Sequence, residues 1–351
     1  MNLYRKFVLT AVLSLTACVL AYVALFFYQF GAPIASGYDA ANWITYKELV
    51  GKNTEGKRLL LFGDSSTVFG VNSKTLSEKL GVPVANLALH GGLPLDAITE
   101  SAIKNSRAGD TVVLAPVWVY YFKDYRIPED WILREMVAWY SDYFYGLPLK
   151  TKLKYISAVD VKTLSVNVDA KFRRVALLQE FPYRRALTAQ EVKDQHAKID
   201  WTVPHPFSYT FLNMNEYGDM QGACGNQPGA SIASVQLALE PKVNPQVLKL
   251  LKQTAQRLND KGVNFYIMPS VTVEDERSVQ QWYHLALGSI MDQIKKAGIP
   301  ALGTPEDFFF PKTSFYDTSF HINCESTPER TSRIYNILKD VLPKDTYLQY
   351  H

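Results

Sequence analysis

The chain has 351 residues, of which 47% are hydrophobic and 20% are charged. This composition supports a sizeable folded core and excludes a disordered or fibrous protein. The net charge of +3, from 37 basic and 34 acidic residues, excludes the strongly basic surface of a typical nucleic-acid-binding protein. Three cysteines are too few for a disulfide-rich scaffold.

Residues 1–30 are predicted to be an N-terminal transmembrane anchor. The segment from Phe7 to Phe30 contains no charged residue, and about 20 apolar residues suffice to cross a bilayer. Arg5 and Lys6 precede it, and because positive charges favour the cytoplasmic side, the N-terminus is expected in the cytoplasm. In a bacterial host, this predicts a single-pass protein of the inner membrane with a periplasmic or extracellular domain.

Two other interpretations of this segment stay open. The first is a cleaved signal peptide, whose apolar region is normally shorter, at about 7–15 residues. The second is a lipoprotein, because Leu15-Thr16-Ala17-Cys18 resembles a bacterial lipobox. However, a lipoprotein usually turns polar after its cysteine, whereas this chain stays apolar. The length of the apolar segment therefore favours an uncleaved anchor.

Residues 31–57 are predicted to be a linker, and residues 58–119 to form the first half of an α/β domain. Arg58–Phe62, Val82–Leu89 and Thr111–Pro116 are apolar runs typical of buried strands. Stretches with helical spacing separate these runs. Strands that alternate with helices in this way favour βαβ units and a parallel sheet.

Residues 120–240 interrupt the alternation and are predicted to be a large, mainly helical insertion. Its many Tyr, Trp and Phe side chains could stack on sugar rings, pack in the interior, or rest on the membrane or a partner, and interior packing is the default. The alternation resumes over residues 241–351, with strands predicted at Asn264–Pro269 and Pro300–Leu302. We therefore predict one doubly wound α/β domain of about five strands.

Residues suited to nucleophilic catalysis follow the ends of the predicted strands. Ser65 lies in the turn Gly63-Asp64-Ser65, and Asp317 and His321 precede the last predicted helix. Sites in open parallel sheets lie beyond the carboxyl ends of the strands, where these residues can meet. Ser65 would be the nucleophile, His321 would take its proton, and Asp317 would orient the imidazole. Such a set predicts a hydrolase or an acyltransferase.

Neighbouring residues are predicted to support this chemistry. Four residues after the second strand are expected to form the oxyanion hole, line the cleft or support its turn: Asn86, His90, Gly91 and Gly92. One of the two glycines would donate its N–H beside that of Ser65. Gly63 and Asp64 are predicted to hold the turn. The sequence contains no zinc, calcium or phosphate-loop motif, so no metal or cofactor is predicted.

These motifs resemble the SGNH (GDSL-type) hydrolase superfamily. "LLLFGDSSTVFGVNS", "VANLALHGG" and "FYDTSFHIN" look like a membrane-anchored bacterial branch that is similar to extracytoplasmic proteins of envelope polysaccharide or teichoic acid acylation. The resemblance covers roughly residues 58–117 and 244–342. It implies a flavodoxin-like three-layer fold, a nucleophile at Ser65 and the partner pair Asp317 and His321. It also implies an envelope glycan as substrate and a multi-spanning membrane acyltransferase as partner.

The sequence departs from the family pattern after the third strand. SGNH enzymes usually carry an Asn there as an oxyanion donor, whereas this chain has Ala115-Pro116-Val117-Trp118. Two functions are therefore weighed. The first is a serine O-acyltransferase or esterase acting on an envelope polysaccharide, which Ser65, Asp317 and His321 favour. The second is a catalytically silent module that binds polysaccharide or scaffolds an envelope complex.

Cys224 and Cys324 are predicted to form a disulfide. An exported domain lies in an oxidising compartment, where two cysteines tend to pair. Because Cys324 lies three residues after His321, the bond would tie the insertion to the catalytic loop. Two independent buried thiols are the alternative.

Overall fold

The computed structural model describes residues 3–203 and 206–342, and the chain forms two compact units. The first unit contains residues 3–41 and 126–186. The second contains residues 42–125 and the described residues from 187 onward. The predicted insertion at 120–240 is therefore divided, since most of its first half belongs to the same unit as the N-terminal helix.

A parallel four-stranded sheet lies in the second unit. Its strands follow the order β2-β1-β3-β4, with the bounds β1 (Leu59–Phe62), β2 (Val84–Asn86), β3 (Thr111–Leu114) and β4 (Asn264–Ile267). Leu60 of β1 pairs with Ala85 of β2 and Val112 of β3. Every residue of β1, β2 and β3 is buried, and apart from Asn86 and Thr111 these residues are apolar, as expected for strands covered on both faces.

The sheet has four strands rather than the predicted five. Pro300–Leu302 contributes a single bridge, between Ile267 and Ala301. Pro300 has no N–H to donate to a ladder, and Gly303 turns the chain at a φ of 70°. A separate parallel pair is formed by β5 (Thr272–Glu274) and β6 (Phe309–Pro311).

The helices of the described chain surround these strands or form the first unit. In chain order they are α1 (Leu3–Tyr28), α2 (Tyr38–Asn53), α3 (Ser65–Val68), α4 (Ser73–Leu80), α5 (Leu95–Asn105), α6 (Asp130–Ala138), α7 (Ser141–Gly146), α8 (Leu149–Ala158), α9 (Val161–Ala176), α10 (Ala189–His196), α11 (Pro245–Asp260), α12 (Gln281–Lys296) and α13 (Thr327–Leu338). Helices α4 and α13 pack on the sheet, where Leu76 and Ile334 share one core with Leu61.

Helix α1 is long and apolar enough to cross a membrane. Its last turns pack inside the first unit, because Phe26 is fully buried and its ring lies 5.4 Å from that of Phe144 on α7. The residues of α1 before Tyr22 are exposed. Helix α1 therefore consists of an exposed apolar segment followed by a C-terminal end that packs in the first unit.

The predicted linker at residues 31–57 is largely helix α2. Its Lys47 is buried, and Nζ donates hydrogen bonds to the carbonyl oxygens of Asn86 (2.8 Å) and Gly218 (2.5 Å). Trp43 on the same helix is also buried. Because buried side chains fix α2 against its neighbours, this segment is part of the fold and does not act as a spacer.

We expect Lys47 to make stability depend on pH. Burial lowers the pKa of this ammonium group to about 7, although the charge of Asp219 acts to raise it. Between about pH 7 and the unfolded pKa near 10.4, the unfolded chain binds the extra proton, so stability should rise with pH. The wild type should gain up to about 1.4 kcal/mol per pH unit relative to Lys47→Met, measured by thermal unfolding at pH 7 and 9.5.

Lys249→Met is the matched control, since that lysine is exposed on α11. Its pH dependence should follow that of the wild type. Parallel curves for the wild type and Lys47→Met would contradict the expected role of the buried ammonium.

Candidate active site

The turn after β1 presents Ser65 at the edge of the sheet. Asp64 precedes α3 and binds two backbone groups, because Oδ1 accepts from the N–H of Ser66 (2.8 Å) and Oδ2 from that of Val117 (2.7 Å). A Cβ at Gly63 would lie 2.8 Å from the carbonyl oxygen of Ala115, so only glycine fits this close approach. Gly63 and Asp64 thus hold the turn in which Ser65 begins the helix.

The structure brings Ser65, His321 and Asp317 into one hydrogen-bonded chain. Ser65 Oγ lies 2.9 Å from His321 Nε2, and His321 Nδ1 lies 2.8 Å from Asp317 Oδ1. If Nδ1 carries the ring proton and donates it in a hydrogen bond to the carboxylate, the Nε2 lone pair can take the proton of the serine hydroxyl. This is the geometry of an activated serine nucleophile.

Tyr209 also takes part in this hydrogen-bond network, although no motif in the sequence indicates it. Its hydroxyl donates to Asp317 Oδ2 and lies 3.2 Å from His321 Nδ1. Burial and the hydrogen bond to Asp317 raise the pKa of Tyr209 well above its usual range, so the phenol stays a neutral donor. Burial acts to raise the pKa of Asp317, but the hydrogen bonds from His321 and Tyr209 bring it below its ordinary value. Asp317 is therefore ionised at neutral pH.

Phe69 and Arg330 fix the surroundings of the histidine. The Phe69 ring stacks on the His321 imidazole, with centroids 4.1 Å apart and planes at 11°. Arg330 of α13 is fully buried, and its Nη1 donates to the carbonyl oxygens of Ser66 (2.5 Å) and Phe69 (2.7 Å). Through these bonds, the last helix holds the segment that carries both the nucleophile and the ring against which the base packs.

Two backbone N–H groups are available as oxyanion donors. The N–H groups of Ser65 and Gly91 donate to no residue that the structure describes. A Cβ at Gly91 would lie 3.2 Å from Ser65 Oγ, and Tyr120 OH donates to the Gly91 carbonyl oxygen (2.7 Å), which fixes this loop beside the serine. The Gly92 N–H donates instead to His90 Nδ1 (3.0 Å). Of the two predicted glycines, Gly91 is the one with a free donor.

His90 accepts that hydrogen bond as a neutral imidazole. Burial, and to a lesser extent the charge of His321, lowers the pKa of His90 to about 4. Its ring also lies against Trp43, with centroids 5.7 Å apart. His90 thus shapes the loop that carries Gly91.

Asn86 lies beneath the site and does not line the cleft. It is fully buried, and its Nδ2 donates to the carbonyl oxygen of Thr67 (2.7 Å) and to Asp219 Oδ1 (3.0 Å). Its Oδ1 accepts from the N–H of Ala88 (3.2 Å). Because its amide groups are already occupied, Asn86 supports the turns after β1 and β2 and has no spare donor for an oxyanion.

Cys224 and Cys324 form a disulfide. The Cys324 N–H also donates to the carbonyl oxygen of Ala223 (2.9 Å), so this connection holds the segment after His321. Glu325 lies close to both sulfur atoms. Since each sulfur is bonded to the other, this cluster offers no thiolate to a metal ion.

We expect Tyr209→Phe to slow the reaction of Ser65 by about 5- to 10-fold, the effect of losing a hydrogen bond worth roughly 1 kcal/mol. Loss of this donor should also raise the pKa of Asp317, so the acid side of the rate–pH profile should move to higher pH. The measurement is the rate of Ser65 modification by a fluorophosphonate, followed from pH 9 down to about pH 3 so that the profile includes the titration of Asp317. Tyr183→Phe, at a 94% exposed tyrosine, is the control, and an unchanged profile in Tyr209→Phe would refute this role.

Comparisons with known proteins do not assign this site to a family. No protein-family model matches the chain, and no curated protein is significantly similar to it.

Proposed function

We propose that the protein is a membrane-anchored, extracytoplasmic serine O-acyltransferase or acyl esterase of the SGNH type that acts on a cell-envelope polysaccharide. The observation that carries the chemistry is the 2.9 Å contact between Ser65 Oγ and His321 Nε2, with Asp317 behind the histidine. The strand order β2-β1-β3-β4 supports a flavodoxin-like sheet, in which ligands bind beyond the carboxyl ends of the neighbouring strands β1 and β3, where the strand order reverses. Ser65 follows β1 at that point.

The proposed reaction has two acyl-transfer steps. Ser65 Oγ attacks the carbonyl carbon of the acyl donor while His321 Nε2 takes the hydroxyl proton, and Asp317 stabilises the imidazolium. The N–H groups of Ser65 and Gly91 bind the oxyanion. The tetrahedral intermediate then expels the donor alcohol, which receives the proton from His321, and an ester on Ser65 remains. Water or a sugar hydroxyl then attacks the carbonyl carbon of this ester while His321 takes its proton. The second tetrahedral intermediate expels Ser65 Oγ, which receives that proton from His321, and the acyl group leaves as a free acid (hydrolysis) or as an ester of the sugar (transfer).

The location and partners in this proposal rest on α1 and on the family resemblance. Arg5 and Lys6 before the apolar segment favour a cytoplasmic N-terminus and an exported domain. An enzyme held at the membrane surface could receive acyl groups from a multi-spanning membrane acyltransferase. A glycan exported across the same membrane would be the acceptor of the acyl group or the ester that is hydrolysed.

One observation favours the second function, a catalytically silent module that binds polysaccharide or scaffolds an envelope complex. The segment after β3 offers no Asn, and the Val117 N–H is already bound by Asp64. The oxyanion hole then has two backbone donors, and loss of one donor typically costs about 3 kcal/mol of transition-state stabilisation.

Covalent labelling separates the two functions. The full chain in detergent is treated with a fluorophosphonate probe, and the adduct is located by intact mass and peptide mapping. Labelling at Ser65 that disappears in Ser65→Ala and His321→Ala, but persists in Ser66→Ala, is the expected result. Ser66 is the matched control because its buried Oγ contacts Ser270 Oγ (3.3 Å) and not the histidine. A folded chain that is not labelled would favour the silent module.

A further inference from the structure

Helices α1 and α9 run side by side in the same direction within the first unit. Tyr22 OH of α1 donates to the carbonyl oxygen of Val159 (2.5 Å), just before α9 begins. Seven residues further along the chain, just past the end of α1, Gln29 Oε1 accepts from Asn167 Nδ2 of α9 (2.9 Å). The start of α9 therefore lies level with Tyr22, and the part of α9 after Asn167 extends beyond the end of α1.

The position of Tyr22 along α1 lies close to the far hydrocarbon boundary of a bilayer that α1 would cross. The apolar stretch begins at Phe7, directly after Lys6. A hydrocarbon layer of about 30 Å is crossed by about 20 helical residues at 1.5 Å each, so the far boundary falls near Phe27. Tyr22 lies about 7 Å inside that boundary, and it is bonded to the connection between α8 and α9.

The surface at this level combines apolar and cationic side chains. We call residues 153–162, the end of α8 and the start of α9, the α8–α9 tip. Leu153 is 58% exposed and Val161 is 72% exposed, and Lys154 and Lys162 are exposed beside them. The acidic Asp160 caps the first turn of α9. Apolar side chains flanked by lysines are typical of segments that enter the membrane interface by about 5–10 Å.

We propose that the α8–α9 tip inserts into the outer interface of the bilayer that α1 crosses, with anionic phospholipid headgroups at its lysines. Leu153 and Val161 would enter the boundary of the acyl chains. Each lysine near an anionic surface adds electrostatic attraction. The inference rests on α1 as the anchor of the proposed function, but it does not depend on the chemistry of Ser65. The first unit would then be held to the membrane at two places.

Spin labels on one helix test this depth. The full chain, with Cys18→Ser, is labelled at Val161→Cys or at Val175→Cys and reconstituted in phosphatidylcholine vesicles with 30% phosphatidylglycerol. Both positions are exposed valines of α9, and Val175 lies about 21 Å further along the helix axis. The label at 161 should collide with oxygen more than with a water-soluble nickel complex, and the label at 175 should show the reverse.

Other results of the spin-label measurement would contradict insertion of the α8–α9 tip into the bilayer. Two labels that are equally accessible to the nickel complex would show that the tip stays in water. A label at 161 that is protected from both reagents would indicate a protein contact instead. A label on native Cys18 reports the anchor separately: if it is immersed while 161 is in water, the tip inference fails but the anchor stands.

Charge reversal of Lys154 and Lys162 tests the contact with anionic headgroups. Lys154→Glu with Lys162→Glu should reduce the immersion of the label at 161 in vesicles that contain phosphatidylglycerol. In pure phosphatidylcholine the same change should have a smaller effect. Equal effects in both lipids would overturn the proposed contact with anionic headgroups.

Discussion

His321→Ala is expected to slow the acylation of Ser65 by on the order of 10⁴-fold or more. A serine hydroxyl is a weak nucleophile at neutral pH, and in this site the group that can take its proton is the imidazole at 2.9 Å. Without it, the proton must go to water as the tetrahedral intermediate forms. The measurement is the single-turnover release of p-nitrophenol from p-nitrophenyl acetate.

The relative rates of single and double variants test whether Ser65 and His321 act together. Because nucleophile and base act as one unit, Ser65→Ala, His321→Ala and the double variant should all show nearly the same residual rate. His284→Ala is the control, since that histidine lies on α12, where its ring stacks on Phe309. A rate in His321→Ala within tenfold of the wild type would rule out His321 as the base.

Removal of the Cys224–Cys324 disulfide is expected to destabilise the protein strongly. Cys224 and Cys324 are 100 residues apart in the sequence, and a cross-link that closes a loop of this length contributes up to about 4–5 kcal/mol in the chain-entropy model. For a unit of this size, the melting temperature of Cys224→Ser with Cys324→Ser should fall by on the order of 10 °C. Thermal unfolding in detergent, followed by circular dichroism, measures the shift.

A reductant should reproduce this shift in the wild type and leave the double variant unchanged. Cys18→Ser is the matched control, because Cys18 is the free cysteine of the described chain and lies on the exposed part of α1. If the melting temperature of the double variant equals that of the wild type, the bond does not hold the segment that follows His321.

The strands and the reactive residues could be found from the sequence because their signals are local. β1, β2 and β3 are short and mainly apolar, and each is buried throughout. Ser65 follows the first of them in a glycine-bearing turn, and Asp317 and His321 stand four residues apart before the last helix. Such signals depend on neighbouring residues only.

Other features depend on contacts between distant parts of the chain and were not predicted. Tyr209 lies in an aromatic segment without strand periodicity, and only folding brings its hydroxyl to Asp317. Lys47 lies in the segment that the sequence predicts as a linker, whereas its ammonium group donates to two carbonyl oxygens in the interior. The choice between Gly91 and Gly92 likewise required the position of the His90 ring.

The contact between Ser65 and His321 joins residues 256 positions apart, and this separation sets when the site can first exist during biosynthesis. At about 5–20 residues per second, the ribosome adds Ser65 roughly 13–50 s before His321. Throughout that interval the growing chain carries a serine without its base. Reactivity of Ser65 should therefore begin only after His321 has been added, and products truncated before His321 should lack an activated serine.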